Sequence, residues 1–374
     1  AVYSGADLDA MRAAGELGAT DPIGHGTHVA GSAAADDGSP DARTPYAGVA
    51  PEAGLLIVRL TRGNSQSIEN DDLVRAVGFM FERADAEKKP CVVNLSLGSD
   101  FGPHDGSSLW EQALVRNVGP DKPGRVIVAA AGNSGAAPVL PIHQSVHVSP
   151  GVRTSVPIDS GDEGGNVSVW INFRQATGMK VGLRGPDEEW IAPLPEGQSA
   201  GRNRSSGSDQ YNAAVVHGAN APESPIQAGS QAAVIGWQGT WPQGRYDVLL
   251  EGEGDVELYL QAVGTKKSRQ AAFYGGVREG TINLPADSPT VLAVGATVNR
   301  VGWLSKNGQE IRVRAPTFDT AGDIALADAT DLVPGALAFF SSAGPNALGV
   351  PKPEIAAPVL PIHQSVHVSP GVRT

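Results

Sequence analysis

The chain has 374 residues, room for two domains at roughly 150 each, and its net charge of −12 argues against a nucleic-acid or anionic-membrane surface. A single cysteine, Cys91, excludes an intramolecular disulfide framework, and its Cys91-Val92-Val93 setting reads as a small buried hydrophobe. No run approaches about 18 consecutive apolar residues, so no membrane-spanning helix is predicted, and no signal segment is recognisable.

Residues 1–20 are polar and Ala-rich, with a short helical pattern around Asp7–Leu17. Asp21 and Pro22 are turn formers. Gly24-His25-Gly26-Thr27-His28-Val29-Ala30-Gly31 follows, and the small residues from Thr27 to Ala35 are helix-compatible. His25 is therefore expected at a helix N-terminus, where unpaired N–H groups carry partial positive charge and favour a neutral imidazole. Two plainer readings stand beside this one. His25 can be a loop residue before a helix, or His25 and His28 can share a metal, which requires further ligands.

After an acidic loop, Pro45 to Pro51 leads into Leu55–Leu60, which reads as a buried strand. Leu73, Val77, Met80, Phe81 and Ala84 recur at helical spacing, with Asn70 or Asp71 as cap and Pro90 as terminator. Strand Cys91–Leu95 opens into Ser96-Leu97-Gly98. A helix over about 107–118 leads to strand 125–131, which opens into Gly132-Asn133-Ser134-Gly135. This alternation predicts an α/β domain, a parallel sheet with helices on both faces, and a ligand edge beyond the carboxyl ends of its strands.

The pattern changes after about residue 140. Val167, Val169, Ile171 and Phe173 alternate with polar residues, as do Met179, Val181 and Leu183, and Val256, Leu258 and Leu260. Turn-forming clusters lie between them, Gly201–Gly207 included. This predicts an inserted antiparallel β-sandwich. Trp170, Trp190, Trp237 and Trp241 are expected in its core or rim, with carbohydrate binding as an alternative use. Strand character returns at Thr290–Ala296. Asp323, Asp328 and Asp331 lie close together and read as solvated loop acids.

Residues 136–154 and 356–374 are identical, letter for letter. Structural repeats diverge and recur in series. The second copy reads as a join made in cloning, assembly or recombination, against the alternative of a genuine duplicated tail.

Several blocks, in order, resemble the subtilisin-like serine proteases (subtilases). They are Gly24–Gly31, Ala47–Pro51, Asn94-Leu95-Ser96-Leu97-Gly98, Ala129–Asn133, Phe340–Pro345 and Lys352–Pro358. The resemblance implies a subtilisin-like parallel sheet flanked by helices. It makes His25 the general base, and His28 a packing residue of the following helix. Asn133 becomes the side-chain donor to the oxyanion. The backbone of Ser96, Leu97 and Gly98 becomes the edge that pairs with an extended peptide. An aspartate before a histidine before a serine completes the family's triad. No Asp-(Ser/Thr)-Gly strand precedes His25 and no Gly-Thr-Ser occurs anywhere. Asp7, Asp9 and Asp21 are poor substitutes by position. Ser145, Ser149, Ser365 and Ser369 lack catalytic context, and Ser341 and Ser342 read as structural. No catalytic aspartate or serine is assigned.

The sandwich resembles the jelly-roll insert of some bacterial subtilases, spore-germination proteases included. The expected organisation is a first catalytic part at 1–140, an inserted jelly-roll-like sandwich at 141–285, a second catalytic part at 286–358, and a copied tail at 359–374 taken from 139–154. The expected function is serine endopeptidase chemistry on extended peptide or protein substrate, with this polypeptide incomplete and inactive. The alternative is a non-catalytic pseudoprotease that binds or regulates. No cofactor or metal site is assigned, although structural calcium is common in the family. No nucleic-acid partner is expected, and the family implies an extracellular or cell-envelope setting.

Overall fold

Helix α1 (Gly5–Ala14) starts at a capping box: the Ser4 hydroxyl accepts from Asp7 N–H and the Asp7 carboxylate from Ser4 N–H. In the computed structural model, the described residues are 2–16, 21, 23–36, 47–62, 67–136, 141–161, 164–207, 209–264, 270–304, 308–318, 324–329 and 332–359. The chain divides into two compact units, 1–59 with 361–374, and 60–360.

The smaller unit holds α1 and α2 (His25–Ala34). The last carbonyls of α2 lack intrahelical partners and are satisfied from the Ala47–Pro51 block. Gly48, Val49 and Ala50 donate their N–H groups to Ala35, Ser32 and Ala33 at 2.8, 3.2 and 2.8 Å. A Cβ on Gly48 would stand 2.4 Å from Ala35 N, which explains the glycine. The expected strand over Leu55–Leu60 does not form. Residues 54–60 are in no strand among the described residues, and Leu55 and Ile57 are exposed. An apolar run predicts burial, but a strand also needs a neighbour to pair with, and hydropathy does not supply one.

In the larger unit, α3 (Asn70–Ala86) presents Leu73, Val77, Phe81 and Ala84 to the core, as their spacing predicts. Its cap is Glu69 rather than Asn70 or Asp71, and Glu69 makes no capping side-chain bond. The helix start is instead tied by Arg62, whose guanidinium forks onto Asp72 with two 2.6 Å bonds. Strand β1 (Cys91–Leu95), α4 (Leu109–Val115) and β2 (Arg125–Ala130) follow. β1 lies at one edge of a four-stranded parallel sheet, beside β2, then β13 (Leu292–Val298), then β18 (Ile355–Val359). α3 and α4 bury one face, against Val93, Leu95, Ile127 and Ala129. On the opposite face Val92 and Val126 are exposed, so within this unit the described helices flank one face only. Cys91 is half-buried, and burial pushes its thiol up.

Between β2 and β13 the chain builds antiparallel sheets. These are β3 (His143–Val148), β4 (Thr154–Asp159), β5 (Gly165–Asn172), β6 (Thr177–Arg184), β7 (Glu189–Pro195), β8 (Gln198–Ser206), β9 (Asp209–His217), β10 (Ala232–Thr240), β11 (Arg245–Gly264) and β12 (Ala272–Phe273). β11 is 20 residues long and serves two sheets. Its first half pairs with β4 and β6, its second with β3 and β5. The alternating residues named from the sequence all point into the shared core. Gly201–Ser206 belongs to strand β8 rather than to a loop. β8 is a polar edge strand paired only with β9, and edge strands need no continuous apolar face.

All four tryptophans are buried, so their faces are not presented to a sugar. Trp190 stacks on Tyr211 at 4.2 Å and Trp237 on Tyr246 at 4.9 Å, with Trp241 edge-on to Trp237. Part of the outer face of the second sheet is buried as well. There Trp170 and Tyr259 cover the loop after β1, with Phe101 edge-on to Trp170 at 5.6 Å. Two short hairpins, β14–β15 (Gly302–Leu304, Glu310–Arg312) and β16–β17 (Arg314–Phe318, Ile324–Asp328), follow β13. Asp328 lies in β17, 3.9 Å from Arg314, while Asp323 and Asp331 lie outside the described residues. The second copy of the repeat, from residue 360, lies outside them too, with Ser365 and Ser369.

Candidate active site

His25 is the first residue of α2, as its sequence setting predicts. Gly24 before it has φ 79°, a left-handed conformation that glycine adopts without a Cβ clash. Glycine has no side chain to cap the helix, and Asp21 does so from upstream. Its Oδ1 accepts from Gly24 N–H at 2.9 Å. Its Oδ2 accepts from Thr27 N–H at 2.8 Å and from the Thr27 hydroxyl at 2.9 Å. Burial raises the Asp21 carboxyl, but these hydrogen bonds outweigh it and hold the group below the usual range. Both oxygens of Asp21 thus serve the helix start. Asp7 caps α1, and Asp9 lies within α1. The His25 imidazole is exposed and has no hydrogen-bond partner among the described residues, and His28 is exposed rather than packed.

In the larger unit, Ser96-Leu97-Gly98 leaves the carboxyl end of β1, and Gly132-Asn133-Ser134-Gly135 leaves that of β2. The register Leu95 to Ala129 sets the two exits side by side. The main-chain groups of Ser96, Leu97 and Gly98 pair with no other described backbone, so β1 continues as an open edge. Just beyond, Ser99 exchanges two hydrogen bonds with Leu284, at 3.1 and 3.0 Å. The side chain of Asn283 lies between the two exits. The Asn283 main-chain N–H donates to Ala131 O at 2.9 Å. With the side-chain amide nitrogen facing the carbonyls, the side chain donates to Ala130 O at 3.0 Å and Ala131 O at 3.2 Å. A Cβ on Gly98 would stand 2.2 Å from that amide, and one on Gly132 2.9 Å from it. Two glycines therefore let both exits close on one asparagine.

The Asn133 loop is clipped from behind. Ser342 N–H donates to Gly132 O and Ser134 N–H to Ser342 Oγ, each at 3.0 Å, and Gly135 N–H donates to Phe340 O at 2.9 Å. Ser341 and Ser342 are buried and structural in these contacts. Asn133 itself is exposed, and its side chain has no partner among the described residues. An amide so held can donate to a negatively charged oxygen arriving from solvent.

A profile described as the subtilase family matches residues 13–178, a span holding the His25 helix, the Ser96–Gly98 edge and the Asn133 loop. Over this span the chain is similar to the subtilase family. Among its relatives, the major intracellular serine protease of Bacillus subtilis is 39% identical over 116 residues, covering 31% of each chain. Thermitase of Thermoactinomyces vulgaris is 33% identical over 169 residues, 45% of this chain and 50% of that one. The chain thus spans about a third to a half of these two relatives' length. The CspB protease structure from Clostridium perfringens matches 93% of this chain and 64% of its own, with a TM-score of 0.64 and 22% identity, a likeness of fold.

Behind the subtilase edge lies a buried acid pair that the sequence did not reveal. Glu111 on α4 and Asp287 after Asn283 are both fully buried. The Ser108 hydroxyl donates to Glu111 Oε2 at 2.5 Å, and Gly106 N–H to Asp287 Oδ2 at 3.0 Å. Burial, then the charge of Asp287, raises Glu111 well above 4.5, while burial raises Asp287 from 3.8 to about 6. Folding therefore favours the protonated forms. The contribution of Asp287 is complete below the ordinary carboxylate range and declines as pH rises through about 6, and that of Glu111 declines as pH rises above its ordinary range. Glu111→Gln keeps the shape without the charge. Its urea midpoint is expected to fall less than the parent's between pH 5 and pH 8, and equal falls would reject the assignment.

Asp100, Ser134 and Asn283 also escaped sequence reading. Only the Ser134 position, inside a Gly-Asn-Ser-Gly turn, carried a local signal.

Proposed function

We propose that this chain carries the base and oxyanion parts of a serine endopeptidase acting on extended peptide or protein. The observation that carries the reading is the pairing of an open strand edge, Ser96–Gly98, with the exposed Asn133 amide across Asn283. A peptide laid on that edge would bring a scissile carbonyl near the Asn133 loop. In the mechanism the family uses, a serine oxygen attacks the carbonyl carbon and its proton passes to the histidine, here His25. The oxyanion is held by Asn133 and a backbone N–H. On collapse the C–N bond breaks and the amine leaves with the proton from His25. Water then repeats the cycle on the acyl-enzyme. No cofactor enters these steps.

No orienting aspartate or nucleophilic serine is assigned among residues 1–374, so this polypeptide alone is proposed not to form an acyl-enzyme. The expected result is no labelling by a fluorophosphonate serine probe, read by intact mass. Stoichiometric labelling at any one serine would overturn it. The same lack of Gly-Thr-Ser supports a second reading, a pseudoprotease that binds peptide without cleaving it. The reading of the flanking coding sequence separates the two, since Asp-x-Gly upstream and Gly-Thr-Ser downstream would specify the enzyme.

The finer organisation belongs to the same proposal. It comprises catalytic parts at 1–140 and 286–358, a jelly-roll-like insert at 141–285, and a tail at 359–374 that arose as a join. An extracellular or cell-envelope setting goes with it. Among the described residues no helix is long and apolar enough to cross a membrane. Cell fractionation tests the setting, and one relative bears the name of an intracellular protease.

A further inference from the structure

We propose that Asp100 is a positioning residue for the Asn133 loop and that Gln261 of the antiparallel module seats Asp100. The inference deepens the reading of Asn133 as an oxyanion donor and rests on it for its functional meaning.

The contacts form a continuous path. Ser134 directly follows Asn133, and its hydroxyl donates to Asp100 Oδ2 at 2.7 Å. Asp100 N–H donates to Gln261 Oε1 at 3.0 Å, and the Ser99 hydroxyl donates to the same oxygen at 2.7 Å. Gln261 lies in β11, locked against Ser168 of β5. His104 Nε2 lies 2.9 Å from Asp100 O, and the His104 ring stacks on Tyr259 of β11 at 3.8 Å. The segment between the two catalytic loops is thus held by the module on one side and grips Ser134 on the other.

The Asn133 loop therefore has two unlike flanks. The flank at 340–342 is fixed by main-chain bonds, and Arg278 binds the Ser341 and Ala338 carbonyls there. The other flank is one carboxyl. Its second oxygen, Oδ1, is buried without a partner, an arrangement that costs more than a neutral acceptor would. Ionised, Asp100 makes a charge-assisted bond to the Ser134 hydroxyl, and protonated it makes a weaker one. Burial raises its carboxyl to about 6, against the lowering effect of the Ser134 bond. The groups in contact with it are the Ser134 hydroxyl, the uncharged Gln261 and, at its carbonyl, His104, which burial lowers to about 4 and leaves uncharged near neutrality; His104 in turn stacks on Tyr259 and is acted on by the charges of His143 and Arg174.

The test is NMR on the full chain labelled with 15N and 13C. The Asn133 side-chain amide is expected to shift with a midpoint at about pH 6. Asp100→Asn should abolish that titration while leaving the chain folded. Ser134→Ala should abolish it at Asn133 while the Asp100 carboxyl carbon still titrates, an uncoupling that a merely structural role would not give. Gln261→Ala should move the midpoint. A titration at Asn133 that survives Asp100→Asn or Ser134→Ala, or none in the parent, overturns the proposal. Adding a tetrapeptide carboxylate, the product of hydrolysis, separates the two readings. Saturable shifts at Asn133 support the oxyanion role. With the pH coupling intact, their absence sinks that role and leaves the positioning of Asn133 by Asp100 standing.

Discussion

Truncation of Trp237 to alanine is expected to cost about 3–5 kcal/mol of stability, the range for removing a large buried aromatic. Trp237 is 1% exposed and sits mid-strand in β10, hydrogen-bonded on both sides, opposite Val167 of β5 and Ala213 of β9. Its ring is parallel to Tyr246, at 5°, and edge-on to Trp241. Losing it opens a cavity between Tyr246 and Trp241 within a run of five contiguous rings, and the ladders that tie β10 to β5 and β9 keep the backbone from collapsing to fill it. Trp237→Phe should cost far less, because the ring contact remains and the buried indole N–H, which has no acceptor, disappears. Urea unfolding followed by far-ultraviolet dichroism reads both. A loss under about 1 kcal/mol for Trp237→Ala would show that the module does not depend on this cluster.

Gly135→Ala is the second large effect. A Cβ there would meet Ser341 O at 2.0 Å and its carbonyl carbon at 2.7 Å. Both are backbone atoms, held in turn by Arg278, so neither can rotate away. The clash must break the 2.9 Å bond from Gly135 N–H to Phe340 O and lift the Asn133 loop off its fixed flank. The expected cost is about 1–3 kcal/mol or more. Hydrogen exchange at residues 132–135 should accelerate by tenfold or more, in line with at least about 1.4 kcal/mol of lost protection. Gly151→Ala is the control: nothing lies within 4 Å of its Cβ position, although its φ of 75° carries a backbone cost of its own. If exchange at 132–135 is unchanged in Gly135→Ala, the clipping described for this loop is not what holds it.

The sequence carried the elements well where one residue's neighbours along the chain decide its state. His25 at a helix start, the α3 stripe and the alternation in β5 and β6 all follow from local period and turn chemistry. It failed where a distant partner decides. Leu55–Leu60 is apolar enough for a strand yet finds no ladder, and the polar stretch after Ala200 becomes one because β9 lies beside it. The site divides the same way. Asn133 and Ser96–Gly98 stand in local motifs. Asn283, Asp100 and Gln261 matter only through contacts across 34 or more positions of chain, which no window on the sequence spans.

Strand β11 carries a consequence for how the protein is made. Among the described strands β3 pairs with β11 alone, with one further bridge from His143 to Val277, and β4 pairs with β11 and β12. A ribosome that has reached residue 240 has therefore released two strands for which no ladder partner has yet been synthesised. Their edges, and the apolar face of β5 awaiting its second neighbour, stay open until residues 245–264 emerge. Assembly of this half of the molecule is post hoc rather than progressive, and the interval before β11 appears is when aggregation and chaperone capture compete with folding.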